Sequence, residues 1–180
     1  MKKIQRTSRL LRLFFTFICW AIPLTSAYFI LFHLERIIEW GAWSPMISSK
    51  HIQGTSHYSL IHRFIILMIQ LLPLSITVLI CNKLAKLFGL YERGELFEEE
   101  NIKLIRAIGI YMILGELVQL IYQPMLTAAL SFNNQTGERV ISVTLGTTNI
   151  ATLLTACIIL VASWIIKEAN QLKTDSQLTI

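Results

Sequence analysis

The sequence predicts an all-α integral membrane protein: four transmembrane helices, with a cytoplasmic helical hairpin extension between helices two and three. Three observations predict it. Of the 180 residues 54% are hydrophobic and the mean hydropathy is +0.58, more than a soluble core requires. Four apolar runs each approach or exceed the roughly 20 helical residues that cross a bilayer. The 16 lysines and arginines gather at the ends of those runs and form no basic patch of the kind that binds nucleic acid. At this length one four-helix transmembrane domain over residues 1–180 is expected.

The first span, residues 13–32, has no charged residue and follows the basic stretch "KKIQRTSRLLR". A basic start, an apolar stretch and small residues at Thr25 and Ala27 also fit a cleaved signal peptide. The apolar run continues through Tyr28 to Phe32, which favours a span. "HLERIIEWGAW" reads as a helical extension of that span, with Trp40 and Trp43 suited to a membrane interface. All four histidines (His33, His51, His57 and His62) fall between the first and second spans, near Glu35 and Glu39. Their spacing matches no zinc pattern, so they are expected to be exposed loop residues, with metal binding and pH sensing as the alternatives.

The second span covers residues 64–81 and contains Pro73. Leu84, Leu87, Phe88 and Tyr91 recur beyond it at helical spacing, so the helix is expected to continue to Gly94, where glycine suits a left-handed cap. The next helix is expected to start near Phe97, with Glu98, Glu99 and Glu100 in its first turn at the positive end of the helix dipole. Glu99 and Lys103 stand in the favourable order four residues apart. The glutamates are read as helix-start residues and not as a metal or catalytic cluster, because adjacent residues on a helix do not face one another.

The third span, residues 107–130, carries one charge, Glu116. It lies roughly 13 Å into the span at helical rise, where an ionisable group must face protein or a hydrated cavity. Gln119 and Gln123 share its face. Depth matching adds Thr25 and Ser26, Ser75 and Thr77, and Thr152 and Thr155, with Gln70 and Thr148 expected near Gln123. The intramembrane polar site is therefore Glu116, Gln119, Gln123, Thr152 and Thr155, serving to hold helices together, with proton or ion movement and ligand binding as the alternatives. "ERVISVT", residues 138–144, alternates weakly and reads as a short strand. The fourth span, residues 145–166, has small residues, including Ala156 and Ser163, that allow close helix approach; a homo-oligomer is only weakly favoured.

Orientation follows from the cations. Twelve (five in the N-terminal segment, five between spans two and three, two in the tail) face four on the other side. Both termini and the central connection are therefore expected in the cytoplasm. The three cysteines lie within apolar runs and indicate neither a disulfide framework nor a zinc site.

"LYERGELFEEENIKLIRAIG" together with the terminal "KEANQLKTDSQLTI" resembles a family of small bacterial four-span membrane proteins catalogued as a domain of unknown function. The resemblance rests on Gly94, Phe97, Glu100, Asn101 and Gly109, with Leu178, Thr179 and Ile180 at the end. It implies a bacterial inner-membrane protein and, because members are often encoded beside small helix-turn-helix regulators, a tie to regulation or signalling.

No phosphate loop, metalloprotease helix, nucleotide fingerprint or nucleophile elbow is present, and the sole aspartate is Asp175 in the tail. The expectation is a non-enzymatic membrane protein without cofactor or metal. Its partners would be the lipid bilayer and a cytoplasmic or membrane protein that engages the hairpin and tail, with no direct nucleic-acid binding. The alternative is a proton- or ion-coupled transporter or channel component using Glu116.

Overall fold

The computed structural model describes residues 2–48, 51–52, 58–96 and 98–178, with backbone alone for 2 and 173–178. The sequence motif residues Phe97, Thr179 and Ile180, and also His57, lie outside the described residues. The elements in chain order are α1 (Lys2–Phe32), α2 (Leu34–Glu39), α3 (Leu60–Arg93), α4 (Glu99–Leu130) and α5 (Thr147–Leu178), with no strand among the described residues. Four of them, α1, α3, α4 and α5, are long and apolar enough to cross a membrane. Phe17 and Trp20 on α1, Ile121 on α4 and Ile158 on α5 are exposed, which suits a lipid surround better than water. Helix α1 runs through Pro23, α3 through Pro73 and α4 through Pro124.

Contacts divide the chain into two compact units, and α1, α3 and α4 each contribute to both. The first unit comprises Met1–Cys19, Ile76–Leu114 and Thr147–Ile180. Here α3 extends to Arg93, as its helical spacing predicts, and closes at Gly94, whose φ of +88° is left-handed. The Gly94 N–H donates to the Tyr91 carbonyl and the Glu95 N–H to the Leu90 carbonyl, both at 3.1 Å, which is the bonding of a Schellman cap. Helix α4 begins at Glu99, two residues after the expected start, so Glu98 precedes the helix. Asn101 fixes that boundary: its side-chain amide donates to the Glu95 carbonyl and its backbone N–H to the Glu98 carbonyl. The expected Glu99–Lys103 pair forms at 3.2 Å between two exposed side chains.

Leu87 and Leu90 of α3 cluster with Leu104 and Ile108 of α4. Beside them Gly109 is buried against α5, where a β-carbon would lie 2.9 Å from two Leu160 atoms and 3.3 Å from the Ala156 carbonyl. Ala156 and Ser163 are themselves buried, so small residues set this helix approach. From α1, Arg12 reaches Glu92 at 3.0 Å and Arg9 reaches it at 3.7 Å, while Phe15 stacks on Phe88 with centroids 5.7 Å apart.

The second unit comprises Trp20–Ser75 and Gly115–Gly146. Its core joins Ile30, Leu34 and Ile38 to Ile66, Ile69, Tyr122, Leu126 and Leu130. The expected helical extension of the first span is interrupted at His33, whose φ of −134° leaves the helical region, and α2 follows as a separate six-residue helix. Trp43 is buried with Ile47, Ile52 and Tyr58, so it is a core residue and not the interface residue expected, while Trp40 is exposed.

Glycine substitutions separate these packing demands. Gly109→Leu should lower the thermal midpoint in detergent by several degrees, since a loss of about 1–3 kcal/mol from overpacking acts on a cooperative unit. Gly89→Ala should leave the midpoint unchanged or slightly raised, because its β-carbon would meet only Arg12, at an ordinary 3.6 Å.

Candidate functional site

The polar face of α4 is occupied by a segment of this same chain. Gln123, Thr127 and Ser131 recur every four residues and are buried, with 3%, 0% and 0% of their surface exposed. The Gln123 side-chain amide donates to the Thr144 carbonyl at 3.2 Å, and its oxygen accepts the Thr144 N–H at 2.5 Å. Thr127 Oγ1 accepts the Ser142 N–H at 3.1 Å, and Ser131 Oγ accepts the Val140 N–H at 2.9 Å. Ser131 Oγ also lies 3.1 Å from the Val140 carbonyl and 2.8 Å from that of Thr127.

Helix and extended chain match because four helical residues rise about 6 Å and two extended residues about 6.6 Å. Side chains at i, i+4 and i+8 thus meet backbone groups at every second residue. The stretch 138–144, expected as a short strand, forms no strand, and its backbone bonds to a helix face instead of another strand. Ser142 Oγ adds a bond to the Met46 carbonyl at 2.9 Å. The turn before it is fixed by Asn134, whose amide reaches the carbonyls of His51 and Glu138.

One turn before Gln123, Gln119 is half-buried, and its Oε1 is enclosed without a hydrogen-bond partner. Glu116, half-buried, lies three residues before Gln119. Four of the hydroxyls expected around them turn back onto their own helices. Thr25 bonds the Ala21 carbonyl, Ser75 that of Leu72, Thr152 that of Thr148 and Thr155 that of Ala151. Gln70 accepts from the Tyr122 hydroxyl at 2.6 Å, while Gln123 takes Thr144.

A second cluster surrounds the start of α3. The His62 Nε2–H donates to the Ala129 carbonyl at 2.7 Å, and the Tyr58 hydroxyl donates to that of Leu130, so two side chains cap the C-terminus of α4. The His62 ring stacks on Tyr58 at 4.7 Å. Arg63, 17% exposed at its side chain, donates to the Leu31 carbonyl at 3.0 Å near the end of α1 and pairs with Glu35 at 3.3 Å. His62 is therefore a helix-capping group and not the exposed loop residue its position suggests. Among the described residues no group of histidine, cysteine and carboxylate side chains is placed to hold a metal.

The motif residues Gly94 and Asn101 act locally, as a cap and a turn clamp, and Glu100 is exposed in the first turn of α4. Asn101 is buried, and its Oδ1 has no hydrogen-bond partner. Sequence reasoning missed Thr127, Ser131 and Tyr58. The spacing of Gln123, Thr127 and Ser131 was a visible signal, whereas nothing near Tyr58 pointed to its bond 72 residues away.

The family model described as "Protein of unknown function (DUF2975)" matches residues 7–180. No curated protein and no solved structure matches the chain.

Two outcomes follow from the bonds above. Thr127→Val keeps the side-chain shape and strands the Ser142 N–H, so it should cost about 1–3 kcal/mol in an unfolding titration, while Thr25→Val should cost little. Burial pushes the Tyr58 hydroxyl up from 10.0 to about 12. Its contribution is fully present below pH 10, because the hydroxyl is protonated in both states. It is lost as pH rises from 10 towards about 12, because the unfolded chain ionises first. In alkaline titrations Tyr58→Phe should lose less stability across that window than the parent protein.

Proposed function

The chain belongs to the DUF2975 family, whose description assigns no activity, and we propose that it is a non-enzymatic, multi-pass protein of the bacterial inner membrane that works by docking a cytoplasmic protein. The distribution of cations, twelve against four, supports an orientation with both termini and the connection between α3 and α4 in the cytoplasm. The observation that carries the reading is the construction of the first unit around Glu92. This carboxylate takes both Arg9 and Arg12, Phe15 stacks on Phe88, and the Schellman cap with the Asn101 clamp fixes the turn. Charged helix ends stiffened in this way suit presentation of a surface more than simple anchorage.

That surface has a chemical character. A groove of about 340 Å³ is lined by Ile4, Leu11, Phe88 and Tyr91, with Lys3 among its residues. Arg6, Arg9, Lys103 and Arg106 are exposed elsewhere on the same unit. An amphipathic segment bearing acidic residues is the complementary partner.

The second reading, proton or ion movement through Glu116, draws on the enclosed, unmet Gln119 Oε1 on the same helix face. Purification from the native membrane in mild detergent separates the two. Docking predicts a soluble protein retained in stoichiometric amount and lost with Arg6→Glu/Arg106→Glu, two exposed cations outside the Glu92 cluster. Transport predicts no such partner, and a proton flux in liposomes that disappears with Glu116→Gln.

A further inference from the structure

We propose that Val140–Thr144 is a releasable strap over the polar face of α4, leaving as one unit while the helices stay packed, and that its release admits water to that face. The strap is bound in an unusual way. Four hydrogen bonds join its backbone to Gln123, Thr127 and Ser131, the Ser131 hydroxyl proton going to the nearer Thr127 carbonyl. Two of its three apolar side chains add little burial, Ile141 at 73% exposed and Val143 also exposed, as is Leu145 just after it at 70%; only Val140, at the strap's first residue, packs against the apolar cluster.

The neighbouring turn and helices are held differently. The preceding turn is pinned by Asn134, and α3 and α4 meet through Tyr122, Leu126, Leu130 and Ile66 in an apolar cluster. A segment with most of its apolar side chains exposed makes few buried apolar contacts, and that places it toward the low-stability end of the structure. Because the same three side chains hold alternate residues in register, loss of one rung loosens the next, so opening is concerted.

What lies beneath gives release a consequence. Gln123 would lose both of its partners, and the Thr127 and Ser131 oxygens the N–H groups they accept, four places that water can fill. The line continues one turn further to Gln119, whose Oε1 is enclosed and unmet with the strap in place. Ser142 is the latch on the strap's other side, through its hydroxyl bond to Met46. This inference rests on bonds within the second unit and does not depend on the docking reading.

Amide hydrogen exchange on the full chain in lipid nanodiscs tests it. The Val140, Ser142 and Thr144 amides should exchange at one common rate, at least about tenfold faster than the amides of residues 122–130. Thr127→Val should raise all three rates together by about tenfold. Ser142→Ala, which cuts only the Met46 latch and leaves α4 untouched, should also raise all three and serves if Thr127→Val does not fold. Exchange as slow as that of α4, or acceleration confined to the residue whose bond was cut, would overturn the proposal.

Discussion

A backbone amide removed from water must be bonded, and that requirement shapes both units of this protein. Over the four long helices it is met within each helix, apart from the N–H that Pro23, Pro73 and Pro124 do not supply. Where the chain leaves helix it is met by side chains drawn from elsewhere. Gln123, Thr127 and Ser131 serve the backbone at Val140, Ser142 and Thr144, while Tyr58 and His62 serve the last turn of α4. Arg63 does the same for the Leu31 carbonyl near the end of α1. The polar residues at these places are therefore structural partners for backbone.

The four long helices were legible because apolar length and the absence of charge are carried by each segment alone. The cap at Gly94 was legible for a similar reason, since left-handed backbone has a residue signature that needs no distant partner. The start of α4 was read two residues early because a run of glutamates marks the first turn without marking its edge; Asn101 draws the edge by binding the Glu95 carbonyl. At His33 the apolar spacing of Leu34, Ile37 and Ile38 continues across a break in the backbone, so periodicity could not reveal it.

The polar site was legible as a face but not as a set of contacts. Glu116, Gln119 and Gln123 do lie along one side of α4, yet Gln123 is satisfied by a backbone segment that reads as an independent strand. Depth matching brings hydroxyls to the right level and says nothing of direction. Thr152 and Thr155 bond carbonyls of α5 four residues behind them, a local option open to any threonine in a helix. The burial of Trp43, Ile52 and Tyr58 was hidden because their neighbours in the core come from helices far away in sequence.

The proposed arrangement stands on a single assignment, that the connection at Gly94 and the C-terminus share the cation-rich side of a bilayer. Reporter domains active on only one side of the membrane, fused at Gly94 and after Ile180, measure it directly. Both reporters should read the cytoplasm. Reporters on opposite sides would contradict it, and with it the docking surface built around Glu92.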